Sequence, residues 1–382
     1  MLTTSVDPHL LVGFTIAFVL SLAISFVPLL QRGFGLGFVS VAGAVLFYQQ
    51  EFTGFVVVAG LAYLVVSSLN AQTDPAARWQ LACLAMLALI ILFTIGRVFH
   101  WDRAVPLHGS LRSSACILDM WLIIRLVTLF WEVGSGTIDL PSFSRYVVWT
   151  CLPFTLGGPL LRFSEMPKTI QVDWRFWTSA AWWTEGLAAV AKLILGIVLG
   201  IGHQMMTDRW PHAHLWNNAV LTFVAGPLGF YLTLAGYFHL MEVLGRPAGF
   251  KLPTSFNYPI GRENISAFWM NWNMTATFVF RDYLFYNRWG RRTYNIYLNT
   301  LILFTLVGLW HAANPYWVLW GFLHGLLFCV FLLWRKYGQR LSKLPMRGTP
   351  VSFNGARVLT YFSVCMCWYL PSKIIQKLGG LF

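Results

Sequence analysis

Apolar stretches separated by short polar breaks fill almost the whole chain. They fall at about 10–30, 34–48, 53–69, 79–96, 114–131, 146–161, 180–201, 216–243, 296–311, 316–334 and 355–370. Each is read as a membrane helix, because roughly 20 apolar residues at a rise of about 1.5 Å span a hydrocarbon core. Several are shorter than that. The 34–48 and 146–161 segments are expected to be re-entrant, tilted or broken, which is tolerated only where protein or a cavity covers the backbone. The pattern predicts an all-α, polytopic membrane protein with roughly nine to twelve membrane helices. No internal repeat or low-complexity linker is visible, so 1–382 is read as a single membrane domain. Leu10 to Leu30 carries no charge and lacks the basic start and small-residue cleavage site of a secretion signal, and is expected to be a retained first helix.

Composition supports the membrane reading. The chain is 57% hydrophobic, 17% aromatic and 11% charged, against roughly 25% charged residues in a soluble domain. Its net charge of +13 fits basic cytoplasmic loops and contact with anionic lipid. No basic face on a soluble domain is visible, so nucleic acid is not an expected partner. The six cysteines (Cys83, Cys116, Cys151, Cys329, Cys365, Cys367) lie mostly in apolar spans and read as packing residues. Cys365 and Cys367 lack a zinc or redox spacing, and no metal site is expected.

Charge placement bears on orientation. Arg335, Lys336, Arg340, Lys343 and Arg347 form the densest basic loop, and Arg281, Arg288, Arg291 and Arg292 the next. The segments 296–311 and 316–334 separate these loops, so both can face the cytoplasm. Arg97, Arg103 and Arg112 then fall on the opposite side if every earlier segment crosses. Glu185 and Lys192, in or near 180–201, are read as a buried pair or as channel lining.

His311 is the residue that apolar packing alone explains least, since a histidine in a membrane-length segment is costly. A buried histidine bonded to a neighbouring helix is the plainer alternative. Around it stand Trp310, Asn314, Trp317, Trp320, Gly321, His324 and Gly325. At helical spacing Trp317, Trp320, Gly321 and His324 share one face, which suits a lined pocket as well as packing. Imidazole is the usual general base near neutral pH. If 296–311 is helical, His311 lies about 22 Å from the start of that helix, well inside the membrane. A reagent from the cytoplasm then needs a channel to reach it.

The preceding stretch mixes polar, aromatic and basic residues densely: Asn257-Tyr258-Pro259, Asn264, Phe268-Trp269-Met270-Asn271-Trp272-Asn273-Met274-Thr275, and Arg281-Asp282-Tyr283. Phe268, Trp269 and Trp272 could bury one side of an interfacial helix while Asn273 and Thr275 present polar atoms. An amphipathic surface helix without chemistry serves the pattern equally.

Together these residues resemble the membrane-bound O-acyltransferase family. The resemblance runs from Gly157-Gly158-Pro159-Leu160-Leu161-Arg162, like the family's Gly-Pro-x-x-Arg element, through Phe230-Tyr231 and Ala235-Gly236-Tyr237. It continues through Gly249-Phe250, Leu252-Pro253, Phe256-Asn257 and Pro259 to Phe268-Trp269 with Trp272, then Arg281-Asp282-Tyr283-Leu284. It ends at Leu309-Trp310-His311 with Trp320-Gly321 and His324-Gly325. It covers about residues 150–334, and is closest to the bacterial branch of alginate O-acetyltransferases and teichoic acid D-alanyltransferases.

The resemblance implies a bundle of membrane helices with short interfacial or re-entrant pieces, in the bacterial inner membrane. It implies that His311 is catalytic and that Asn273, 38 residues earlier, fills a second polar position. That position is usually His in the bacterial branch and Asn in many lipid and sterol acyltransferases. The chain also departs from the bacterial branch in reading Met270-Asn271-Trp272-Asn273 where Arg-Arg-Trp-His is usual. Trp310, Asn314, Trp320, His324, Trp269, Trp272 and Arg162 are the expected substrate-contacting set, Arg162 as a phosphate holder. No tightly bound cofactor is expected. The implied co-substrate is an acyl thioester on coenzyme A or an acyl carrier protein, and the implied partners are membrane lipids and envelope-modifying proteins. The expected acceptor is an envelope polysaccharide or glycolipid hydroxyl, with a lipid or small hydrophobic alcohol as the alternative. A non-catalytic transporter or scaffold is the reading from another class. It lacks the repeats and intramembrane acidic residues a transporter usually shows.

Overall fold

Long uninterrupted apolar runs give long helices here. The structure, a computed structural model, describes residues 8–31, 33–49, 52–98, 120–209, 221–285, 295–338 and 350–379. Its principal helices are α1 Pro8–Phe26, α2 Gly33–Tyr48, α3 Phe52–Ala71, α4 Pro75–Val98, α5 Met120–Gly134, α6 Phe143–Cys151, α7 Ala180–Arg209 and α8 Gly226–Gly245. They continue with α9 Ile265–Trp269, α10 Met274–Val279, α11 Ile296–His311, α12 Pro315–Tyr337 and α13 Pro350–Gly379. No strand occurs among the described residues. Six of the described helices are long and apolar enough to cross a membrane: α3, α4, α7, α8, α12 and α13. Three shorter apolar helices, α1, α2 and α11, accompany them. The chain is a multi-pass, all-α integral membrane protein. Of the charges used above for orientation, Arg103, Arg112, Arg288, Arg291, Arg292, Arg340, Lys343 and Arg347 lie outside the described residues, as does Cys116.

The chain divides into two compact units, one made of 7–191 with 236–254, the other of 1–6, 192–235 and 255–382. In the first, the 146–161 segment is broken, one of the forms expected of so short an apolar run. Helix α6 stops at Cys151, because Pro153 and the Gly157-Gly158-Pro159 run cannot continue an α-helical ladder. Gly157 takes a positive φ of 66°, a conformation glycine adopts without strain. The irregular backbone that follows is buried, so its polar groups need partners. Buried side chains of α5 and α6 supply them. Arg125 donates to the carbonyls of Trp149 and Thr150 and lies 4.5 Å over the Trp149 ring. Trp149 donates to the Leu161 carbonyl at 2.9 Å, and Glu132 accepts from the amide and hydroxyl of Ser164. Glu185 pairs with Arg246 at 2.5 Å and not with Lys192. Lys192 lies seven positions on, about 10 Å along the helix.

The second unit is organised by two glycine-lined crossings. Gly196 and Gly200 of α7 face Gly229 of α8, where an added Cβ would lie 3.0 Å from the Gly200 amide nitrogen and 3.2 Å from the Gly196 carbonyl. In the α11–α12 hairpin, a Cβ on Gly308 would lie 3.3 Å from the Cα of Gly321, and one on Gly325 would lie 3.1 Å from the Cα of Leu301. Small residues four apart let backbones approach where lipid offers no hydrophobic drive for helix association. Helix α13 packs on this hairpin, where Tyr316 donates to the Trp368 carbonyl at 3.0 Å, and on the turn before α8, where Tyr361 donates to the Phe223 carbonyl at 2.7 Å.

Candidate active site

The site forms where α11 ends and α12 begins. Helix α11 has 16 residues, about 24 Å at helical rise, so its last residue, His311, lies at a hairpin tip short of a full crossing. Asn314 then caps α12, its Oδ1 accepting from the Trp317 amide at 3.0 Å, and Pro315 takes the first helical position, where no amide hydrogen is required. This cap sets the phase of α12 and brings its tryptophans onto His311. The imidazole stacks on Trp317 at 4.6 Å and 21° and meets Trp320 edge-on at 5.3 Å. Trp317, Trp320 and Trp368 of α13 stand 5.4–5.6 Å from one another.

The second polar position is built by a clamp. Asn264 caps α9 through the Ala267 amide at 2.8 Å. The chain then turns, with Asn273 at φ 39°, ψ 57°, in the left-handed region that few side chains tolerate and that Asn and His visit most readily. Both flanks are tied to the preceding loop. The Met274 amide donates to the Ser255 carbonyl at 2.6 Å, and the Asn257 amide to the Asn271 carbonyl at 3.0 Å. Arg262 holds that loop by donating to the carbonyls of Asn257 (2.6 Å) and Tyr258 (3.0 Å) and to Oδ1 of Asn271 (3.0 Å). Asn273 Oδ1 accepts from the Thr275 hydroxyl at 3.3 Å, and among the described residues its amide N–H groups have no partner.

Rings join the two halves. Phe280, just beyond α10, meets Trp310 edge-on at 5.3 Å. Trp272 stacks with Phe268 and Phe230, and Phe230 lies 5.2 Å from Trp368. Trp269 touches Trp320 and His324. The structure thus gathers Trp310, His311, Trp320, His324 and Trp269 in one aromatic cluster, with Trp272 attached through Phe230 and Trp368. Arg162 belongs to the other unit, where its guanidinium pairs with Glu165 at 3.3 Å. Two residues of the site escaped sequence reading: Trp368, beyond the stretch that carries the resemblance, and Arg262, whose role depends on a loop with no periodicity.

Comparison with known proteins fits this architecture. No protein-family profile matches the chain. A Bacillus subtilis protein named teichoic acid D-alanyltransferase is 24% identical over 327 residues, 81% of this chain and 82% of its own. A Pseudomonas putida protein named "Probable alginate O-acetylase AlgI" is 26% identical over 329 residues, 80% of this chain and 64% of its own. A Helicobacter pylori peptidoglycan O-acetyltransferase is 31% identical over 128 residues, 33% of this chain and 24% of its own. Over most of its length the chain is thus similar to proteins named as acyltransferases of cell-envelope polymers. It spans under two thirds of the length of the Pseudomonas putida relative.

For O-acyl transfer the cluster holds an imidazole packed against two indole rings and apolar walls, and Asn273, next to Trp272 in the chain, carries a primary amide. The left-handed turn at residue 273 separates backbone from chemistry. Asn273→His is expected to keep the melting temperature of the wild type. Asn273→Ala is expected to lose about 1 kcal/mol to strain, and Asn273→Gly to regain that stability without regaining activity. Thermal melts beside acyl-transfer assays of the three variants check this. Full activity in Asn273→Gly would show that the side chain does no chemistry.

Proposed function

We propose that this O-acyltransferase moves a short acyl group, acetyl or similar, from a thioester donor to a hydroxyl of a cell-envelope polymer at the bacterial inner membrane. The observation that carries the reading is the packing of His311 between Trp317 and Trp320, on a chain whose relatives bear the names of envelope-polymer acyltransferases. In the proposed reaction His311 takes the proton of the acceptor hydroxyl while its oxygen attacks the thioester carbonyl. The C–S bond breaks, and the imidazolium returns the proton to the departing thiolate. Asn273 donates to the developing oxyanion or orients the acceptor. An amide cannot act as a base, so the two roles are not interchangeable. No serine or cysteine is assigned as a covalent nucleophile, so attack is direct. The donor is coenzyme A or an acyl carrier protein, with envelope-modifying proteins as partners. Trp310, Asn314, Trp320, His324, Trp269 and Trp272 are assigned to the substrate path, and Arg162 to a donor phosphate.

Acylation of a lipid alcohol draws its support from Asn at 273. The left-handed turn weakens that support, since Asn and His satisfy the same backbone. The test is labelled-acyl incorporation into envelope fractions of cells with and without the protein. Label that depends on the protein and appears in polymer supports the proposal. Dependent label in the lipid fraction favours the second reading, and no dependent label anywhere overturns both.

A further inference from the structure

His324 is fully buried, and its ring makes one hydrogen bond, Nδ1 to the Trp320 carbonyl at 3.0 Å. A carbonyl only accepts, so Nδ1 carries the hydrogen and Nε2 keeps a lone pair. That Nε2 has no partner among the described residues, and neither do the buried indole nitrogens of Trp269 and Trp320. The three rings contact one another, with centroids 4.4 Å apart for Trp320 and His324, 5.3 Å for Trp269 and His324, and 6.0 Å for Trp269 and Trp320. Three unpaired polar nitrogens in one aromatic cluster are costly unless a ligand satisfies them.

Their hydrogen-bonding senses define that ligand. Indole N–H groups only donate, and His324 Nε2 only accepts in this tautomer. A carbonyl, carboxylate or phosphate would leave Nε2 facing a lone pair, and an ammonium would meet two donors. The group that answers all three accepts and donates at once.

We propose that Trp269, Trp320 and His324 form a binding site for a single hydroxyl group, filled by water at rest. Trp320 also touches His311, so the site adjoins the proposed base. The hydroxyl comes from a permanent water or from the acceptor alcohol displacing it. The second source rests on the acyl-transfer reading above, while the site itself does not.

The test uses the full chain purified in detergent, comparing wild type, His324→Phe and His324→Gln. Phenylalanine keeps a ring and removes both nitrogens, whereas glutamine keeps an acceptor. A site bonded to a hydroxyl predicts that His324→Phe melts about 2–4 °C lower, with most of the loss recovered in His324→Gln. A His324→Phe protein as stable as the wild type, or more stable, overturns the proposal, because a dry cluster gains by losing an unpaired nitrogen. Transfer kinetics with acetyl-coenzyme A then separate the sources. If the acceptor's hydroxyl occupies the site, His324→Phe raises the acceptor KM about tenfold. If the water is permanent, the acceptor KM does not move. A wild type that transfers no acyl group from any thioester refutes the proposed function, and the melting comparison still decides the site.

Discussion

His311→Ala is expected to lower acyl transfer by roughly 10² to 10⁴-fold, the usual contribution of a positioned general base, while the protein inserts and folds. The structural basis for separating the two effects is the residue's position. His311 is the last residue of α11 and is only half-buried, so no interior turn depends on it. The helix is ended by Ala312 in extended conformation, and the next helix is capped independently by Asn314. Truncation removes an imidazole stacked on Trp317 and leaves a ring-sized space beside that indole. Added imidazole should therefore restore part of the rate, because the space and the stacking surface persist. His311→Gln, which fills the space without a base of suitable strength, should be as inactive as alanine and refractory to imidazole. Envelope acyl incorporation, with expression and melting temperature measured on the same preparations, checks the set. Near wild-type transfer by a properly folded His311→Ala would remove His311 from the mechanism.

Gly321→Leu is expected to cause the largest loss of folded protein, at a cost of about 3 kcal/mol or more. A Cβ there would collide with the Phe304 carbonyl and approach Gly308 Cα to 3.2 Å. The obstacle is backbone, which cannot rotate away as a flexible side chain would. Gly321→Ala should already lower the melting temperature, as should Gly308→Ala, whose Cβ would meet the Trp317 carbonyl. Because the two glycines oppose each other across one contact, the double alanine variant should cost less than the sum of the singles. Gly60→Ala and Gly202→Ala are the controls: an added Cβ at either meets nothing within 4 Å, and both should melt with the wild type. Activity should fall in step with stability for the hairpin variants, since the same contact fixes Trp317 against His311.

How much of this could be read from the sequence depended on the kind of signal each element carries. Helices α3, α4, α7 and α12 were legible because hydropathy reports long uninterrupted apolar runs. The chain near 146–161 is apolar but too short for a plain crossing, which allows for a break; its backbone is broken by Pro153 and the Gly157 turn, and what makes the break tolerable is a set of contacts from Arg125 and Glu132 on a different helix. No local pattern contains them. At the site, His311, Trp320 and His324 stood out from spacing, since residues three and four apart share a helix face. Asn273 is one of several polar residues in a mixed stretch, and only the resemblance gives it a catalytic role. Its left-handed conformation, and the Arg262 clamp that maintains it, arise from a non-helical turn where periodicity carries no information. Glu185 shows the opposite error: a sensible pairing with Lys192 gave way to Arg246, remote in sequence.

The left-handed turn at Asn273 also bears on how such an enzyme could be re-tuned. Only a few side chains settle there without strain, and among them asparagine and histidine both offer an N–H donor while histidine adds a titratable nitrogen. Their codons differ at a single base. Position 273 is therefore a place where one mutational step exchanges an acid–base group for a neutral donor while the surrounding backbone stays as it is. Laboratory evolution toward a new acceptor would do well to begin there, before disturbing the helices that hold His311.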